Sequence, residues 1–446
     1  MSPFTVGDYL AERIAQLDVR HHFIVPGDYN LILLDKLEAH PSLAEIGCTN
    51  ELNCSLAAEG YARGHGIGVC IVTYSVGAFS AFNGVGSAYA ENLPVILISG
   101  SPNTNDLEMA KKITCCAVRI RQAPHAPELI DRAIRAALTH RKPVYIEVPT
   151  NLAGETCLRP GPISSVVSAV PSDQHSLDVA VAKASDFISS RQKCVILAGP
   201  KVRRAMAQDA LRQLAEAIGC AVVLQPAAKG TFPEDHAQFA GIFWGQVSTL
   251  AADTIVNWAD VIICVGAIFT DYSTVGWTAL PSVPQLLVDI DSVTVASKLY
   301  CSNVQMSEFL TRLAETVCWN DTTMVEYNRL RPDPTLGEPS CGPERLTRKE
   351  IARQTQVLIR LNPQTVVFAD TGDSWFNSLK LSLPFGADFE IEMQWGHIGW
   401  SIPASFGYAL ARPRKRIVVM VGDGAFQMTA QEVSQMVRFR VPIIIL

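Results

Sequence analysis

Asp423 stands between Gly422 and Gly424, after the apolar run Arg416–Val421 and before a helical pattern from Ala425 to Phe439. A short apolar run of this kind reads as a buried strand, so the carboxylate falls in a strand–turn–helix junction. Glycines there let the backbone approach a ligand closely. The free N–H groups that open a helix favour a diphosphate. A carboxylate beside them suits Mg²⁺, which takes hard oxygen ligands and bridges phosphates. The alternative is a plain turn with Asp423 as its N-cap. A metal carboxylate in this position normally draws further oxygen ligands from the end of the next strand, here Val441–Leu446, and such residues would lie past Leu446.

Three other stretches carry chemical groups near the ends of expected strands: Val25–Asn30 with Asp28, Cys48–Asn53 with Glu51, and Gly396–Ser401 with His397 and Ile398. In parallel α/β sheets ligands bind at that edge. Glu51 opens a helix of small and apolar residues (Leu52, Leu56, Ala57, Ala58). An apolar setting raises a carboxyl pKa and lets the group donate a hydrogen bond. A helix-dipole carboxylate is the plainer alternative.

Elements that could position these groups are evident as alternation. Phe23–Val25, Val69–Thr73, Val95–Ile98 and Val144–Val148 read as buried strands, with helices such as Glu51–Ala62 and Pro127–Leu138 between them. Alternation of this type predicts parallel sheets covered on both faces. Ala153–Asp173 reads as a linker. A second α/β unit follows, with strands at 193–198, 221–224, 261–265 and 286–290 and a helix at Ala205–Ile218. The proline-rich Arg329–Pro339 reads as a second link, and a third unit starts near Leu346 with strands at 365–370, 416–421 and 443–446. The expected fold class is α/β: three doubly wound parallel-sheet domains at about 1–160, 175–328 and 346–446, the last incomplete.

The chain has 446 residues, 48% of them hydrophobic and 18% charged, with a net charge of −6. No basic block is present, which argues against a nucleic-acid partner. The N-terminus lacks the pattern of a secretory signal, and no apolar run reaches membrane-spanning length. Most of the 12 cysteines sit in apolar runs without paired metal spacing, so they read as small buried hydrophobes in a reducing, cytosolic compartment.

Longer strings give a resemblance. Thr5–Arg13, Val72–Gly77, Tyr89–Gly100, Thr371–Asn377, Gln394–Ser401 and Thr429–Val433 are similar, in this order, to the thiamine-diphosphate-dependent 2-oxo acid decarboxylases, over Thr5–Leu446. The resemblance implies a pyrimidine-binding domain, a central domain without cofactor and a diphosphate-binding domain. It implies a homodimer or homotetramer with each cofactor between subunits, bound with Mg²⁺. Glu51 is then expected to hydrogen-bond the aminopyrimidine and drive removal of the cofactor's C2 proton. Asp28 is expected to take part in the later protonation. Thr73, Asp373, Gly396, His397, Ile398, Gly424 and Ala425 are expected around the cofactor, Ile398 bending it, with Asp423 on the metal. The implied reaction is the non-oxidative decarboxylation of a small 2-oxo acid such as pyruvate to an aldehyde and CO₂. A bulkier acid such as indolepyruvate, or an impaired or regulatory homologue, is the alternative.

Two departures accompany the resemblance. The family carries a loop with an adjacent histidine pair after the stretch matching Ser101–Asp106, whereas here Asp106 runs directly into Leu107–Lys111. His21–His22 lies in or before a strand and reads as structural. The family's downstream asparagine metal ligand and catalytic glutamate would lie past Leu446. On this reading the proton relay rests on Asp28 and the metal site on Asp423. Loss of positioned acid–base groups commonly costs about 10²–10⁴-fold in rate each.

Overall fold

In the computed structural model, residues 3–101, 104–168, 170–332 and 347–446 are described. The proline-rich link beyond Pro332 and the start of the third unit near Leu346 lie outside them. The chain forms two compact units, one of Met1–Ala169 with Trp395–Leu446, the other Val170–Gln394.

The first unit is built on six parallel strands in the order Ala44–Gly47, His21–Ile24, Gly68–Val72, Val95–Ser99, Val144–Glu147 and Cys116–Arg119. The two central strands, Gly68–Val72 and Val95–Ser99, are fully buried, as their unbroken apolar composition requires. Ala44–Gly47 and Cys116–Arg119 are short, partly polar edge strands that periodicity alone does not reveal. The linker from Ala153 is pinned down: Thr5 bridges Thr156, and Arg13 donates to the Gly161 carbonyl at 2.7 Å.

The C-terminal segment of this unit contains Arg416–Met420 paired in parallel with Ile443–Ile445. The latter strand is half-exposed. The expected helix Ala425–Phe439 is broken into Asp423–Thr429, a 3₁₀ turn Ala430–Glu432 and Val433–Arg438. At the break Thr429 leaves helical geometry (φ −137°) and its hydroxyl donates to the Gly399 carbonyl at 2.6 Å.

Two helices of this unit meet closely. Glu51–His65 crosses Ser401–Ala411 at small residues. A methyl group on Gly60 would run into the Ala404 backbone, and one on Gly407 into the Ala57 carbonyl. A methyl group on Gly64 would lie 2.9 Å from the Ala411 side chain.

The second unit holds a seven-stranded sheet in the order Leu299–Ser302, Ser292–Val295, Gln285–Val288, Val261–Val265, Cys194–Ala198, Ala221–Leu224 and Phe239–Ile242. Its last five strands are parallel, but Ser292–Val295 and Leu299–Ser302 pair antiparallel, a departure from the purely parallel expectation. The expected helix Ala205–Ile218 is Gln208–Ile218, preceded by a short turn Lys201–Arg204; Met206 at φ +53° separates them. Thr365–Ala369 pairs in parallel with Asp388–Ile391. Cys70, Cys194, Cys220 and Cys264 are buried free thiols, as their apolar surroundings predicted.

The helix crossing gives the first expected outcome. Gly60→Ala should cost about 1–3 kcal/mol or more in urea unfolding, because backbone cannot yield to the new methyl. Gly47→Ala, which meets nothing within 4 Å, should cost far less.

His22 gives the second. It is fully buried in its strand. Burial, with a smaller push from His21, lowers its pKa to about 4. An unfolded histidine titrates near about 6.5. Between these values the unfolded chain binds more protons than the folded one, so stability falls as pH drops through this window. The loss from this group should be about 2 kcal/mol at pH 5 relative to pH 7. Urea midpoints at the two pH values, compared between wild type and His22→Leu, measure it; an equal acid sensitivity in both would reject it.

Candidate active site

Glu51 lies at the first position of its helix because Asn50 caps it: the Asn50 side chain accepts from the Asn53 N–H at 2.8 Å with an extended backbone at Asn50. Asn53 in turn donates to the Thr49 hydroxyl at 2.9 Å. The Thr49 N–H and hydroxyl both donate to Oε2 of Glu432, at 3.2 and 2.7 Å. Glu432 is fully buried, so this carboxylate anchors the residues immediately before Glu51. Glu51 itself is half-buried.

What faces Glu51 is the turn after Gly68–Val72. A Cβ built on Gly77 would lie 3.1 Å from Glu51 Oε1 and 2.9 Å from Thr73 Cγ2. Any larger residue there would push the Glu51 and Thr73 side chains aside. A Cβ on Gly27 would likewise lie 2.9 Å from Thr73 Cβ, so the 25–30 loop abuts the same threonine. That loop is closed by Asn30, whose side chain accepts from Gly27 N–H at 2.8 Å and donates to the Val25 carbonyl at 3.1 Å. Asp28 projects from it, exposed. The Tyr29 and Tyr74 rings meet edge-on at 4.6 Å, a second contact between loop and turn. Asp28, Thr73 and Glu51 are thus gathered at the carboxyl ends of neighbouring parallel strands, the edge at which such sheets bind ligands.

Ser75, in the middle of this turn, has φ +52° and ψ −95°. That region is strained for a residue with a side chain, at about 1–3 kcal/mol.

The second cluster surrounds Asp423. Gly422 takes the N-cap position with no side-chain cap, and Asp423 is the first helical residue, exposed; the plain N-cap role does not apply to it. A Cβ at Gly422 or Gly424 would meet nothing within 4 Å, so backbone donors and one carboxylate face open space. The loop Gly396–Gly399 packs on this helix. Gly396 and Gly399 have φ +74° and +91°, and a Cβ on Gly399 would lie 2.8 Å from Met428 Cβ and 3.0 Å from the Ala425 carbonyl. Between them His397 is buried and Ile398 is 50% exposed.

The loop is anchored at both ends. Trp395 donates to Asn83 Oδ1 at 2.9 Å and lies against Gly86. Trp400 is buried, donates to Glu59 Oε1 at 3.1 Å and stacks on the Arg63 guanidinium at 4.6 Å. Glu59 also accepts from Arg63 at 2.8 Å and Ser87 at 2.7 Å. Burial pushes the Glu59 pKa up, and the Arg63 charge partly offsets it.

Asp373 belongs to the second unit, where it pairs with Arg348 at 3.1 Å and accepts from Asn377 at 2.9 Å. Among the described residues no group of three or more His, Cys, Asp or Glu side chains forms a metal site. The Gly-Asp-Gly turn nevertheless fits a diphosphate with its Mg²⁺: it offers unobstructed backbone N–H groups and one carboxylate, and a diphosphate brings further oxygens. Thr49, Gly77, Ser75 and Glu432 escaped the reading from sequence. Gly77, a glycine inside a helical pattern, was the one visible signal.

Three families of thiamine pyrophosphate enzyme domains match the chain in order: the N-terminal TPP binding domain at residues 4–126, the central domain at 181–314 and the C-terminal TPP binding domain at 362–446. The chain belongs to the thiamine pyrophosphate enzyme family, with its three α/β domains and with thiamine diphosphate as cofactor. Among curated relatives it is 63% identical to pyruvate decarboxylase of Neurospora crassa, across 99% of this chain and 80% of the relative. It is 42% identical to pyruvate decarboxylase 3 of Arabidopsis thaliana (98% and 77%) and 41% identical to pyruvate decarboxylase 1 of Pisum sativum (97% and 77%).

Removing the buried anchor should be costly. Glu432→Ala leaves the Thr49 donors without their acceptor, and the expected loss is about 2–3 kcal/mol in urea unfolding. Glu432→Gln retains an acceptor oxygen and should lose less. Equal midpoints for wild type and Glu432→Ala would contradict this account.

Proposed function

We propose that the chain catalyses the non-oxidative decarboxylation of pyruvate to acetaldehyde and CO₂, with thiamine diphosphate and Mg²⁺. The observation that carries this reading is the Glu51 carboxylate packed over Gly77 beside Thr73, at the ligand-binding edge of the first sheet. The activity in the relatives' names supports the substrate. When bound, thiamine diphosphate supplies the stabilised carbanion that lets CO₂ leave a 2-oxo acid.

The residues of this chain do the rest. Glu51 would exchange a proton with the aminopyrimidine, at a carboxylate whose position is set by the Asn50 cap and the Glu432 anchor. Thr73 and Gly77 shape the wall beside it. Asp28, on its exposed loop, would deliver a proton for aldehyde release. Ile398 would present a bulky side chain to the cofactor from the Gly396–Gly399 loop, beside Gly396 and His397. Asp373 keeps the cofactor-contact role that the resemblance implies for it. Asp423 would hold Mg²⁺, and Gly424 and Ala425 would offer backbone N–H groups to the diphosphate. We read the domains as 1–160, 175–328 and 346–446, and the working form as a cytoplasmic homodimer or homotetramer. Half-buried Glu51 and exposed Asp28 and Ile398 on one chain are consistent with a site completed by a second copy. No described helix is long and apolar enough to cross a membrane.

With purified protein, thiamine diphosphate and Mg²⁺, pyruvate should release aldehyde at a turnover below about 10 s⁻¹, the middle of the usual enzyme range. The rate is expected to be low because the family's histidine pair is absent from the sequence. Glu51→Gln keeps the shape of the side chain but moves no proton. It should abolish deuterium exchange at the cofactor's C2 position while the circular dichroism spectrum stays that of wild type. Unchanged C2 exchange in Glu51→Gln would overturn the role of Glu51.

A further inference from the structure

Ser75 adopts its strained backbone at one specific contact. Its N–H donates to Oδ2 of Asp106 at 2.5 Å, and its hydroxyl to Oδ1 at 3.3 Å. Asp106 is fully buried. A carboxylate does not enter a protein interior without compensation. Here the compensation is the charge-assisted bond from Ser75 together with the first turn of the helix Thr104–Ile113, whose dipole favours an anion.

The turn held in this way is the one that matters chemically. Thr73, two residues before Ser75, abuts Gly27 in the Asp28 loop. Gly77, two residues after, lies under the Glu51 carboxylate. Tyr74 packs on Tyr29. Ser75 is therefore the pivot between the two groups assigned to proton transfer.

We propose that Asp106 is a positioning residue: its buried carboxylate holds Ser75 in its left-handed backbone and so fixes the Thr73–Gly77 turn between Asp28 and Glu51. The catalytic side of this proposal rests on the function proposed above; the structural side does not. The Asp106 carboxylate accepts from Ser75 and is assigned its role through the turn. Glycine adopts positive φ without strain, so a glycine at position 75 would not need the clamp.

That asymmetry supplies the test, a double-mutant cycle in the full chain with Asp106→Ala, Ser75→Gly and the combination, plus Asp106→Asn. The first readout is amide hydrogen exchange over residues 73–77. Asp106→Ala should accelerate exchange there about tenfold or more, since the strained turn opens once its clamp is gone. In the Ser75→Gly background the same substitution should have much less effect. Asp106→Asn, which keeps an oxygen for the Ser75 N–H, should lie near wild type. The second readout is deuterium exchange at C2 of added thiamine diphosphate, which should fall in Asp106→Ala and recover in the double variant.

An Asp106→Ala effect of equal size in both backgrounds would overturn the proposal, as would none at all. If Asp106→Ala fails to fold alone but folds when combined with Ser75→Gly, the clamp is supported; failure in both backgrounds refutes it. A wild-type chain that binds no thiamine diphosphate would sink the proposed function, while the amide-exchange cycle would still decide the clamp.

Discussion

Backbone-to-backbone contact between two helices is the constraint on which the first unit depends. Gly60 lies on the backbone of Ala404 and Gly407 on the Ala57 carbonyl, with no side chain between them. One of these helices begins with Glu51 and the other follows directly from the Gly396–Trp400 loop. A crossing this close leaves neither helix free to slide or rotate. The Glu51 carboxylate and the loop bearing Ile398 are therefore fixed relative to each other by packing that neither residue makes itself. Trp400 strengthens the arrangement, because its indole reaches Glu59 and Arg63 on the first helix.

Carboxylates in this unit divide into two kinds by environment. Glu59, Asp106 and Glu432 are fully buried, and each accepts hydrogen bonds from named partners. Glu59 and Glu432 tie distant segments together, and Asp106 braces a turn. Asp28 and Asp423 are exposed, and Glu51 is half-buried. Buried anions require satisfied geometry and so make good anchors. Anions that must meet a ligand have to remain reachable. Three anchoring carboxylates here stand behind three reachable ones, as precise placement of a few groups demands.

Much of the fold was legible because its signals are local. Apolar runs marked the buried strands at 68–72, 95–99, 194–198 and 261–265, and the small and apolar residues after Glu51 marked a helix that it opens. The strand–turn–helix around Asp423 was legible for the same reason. Other features rest on contacts distant in sequence. Thr49 meets Glu432 across 383 residues, and nothing near either residue announces it. The helical pattern after Ala425 was continuous, but the Thr429 hydroxyl found the Gly399 carbonyl and broke it. The hairpin Ser292–Ser302 is short and partly polar, too weak a pattern to predict antiparallel pairing. Asp28, Thr73 and Asp423 were named through the resemblance and the turn chemistry, whereas Ser75 and Asp106 follow only from backbone angles and burial.

The first unit is assembled from two segments far apart in sequence, Met1–Ala169 and Trp395–Leu446. On the ribosome, the Glu51 helix emerges more than three hundred residues ahead of its partner, Ser401–Ala411. At about 5–20 residues per second the interval is roughly seventeen to seventy seconds. Throughout it, the glycine-lined face of the first helix has no partner and Trp400 has not reached Glu59. The nascent chain therefore carries an unpartnered helix face throughout that interval. Its yield in a cell becomes a matter of chaperone capacity and translation speed as much as of the stability of the finished protein.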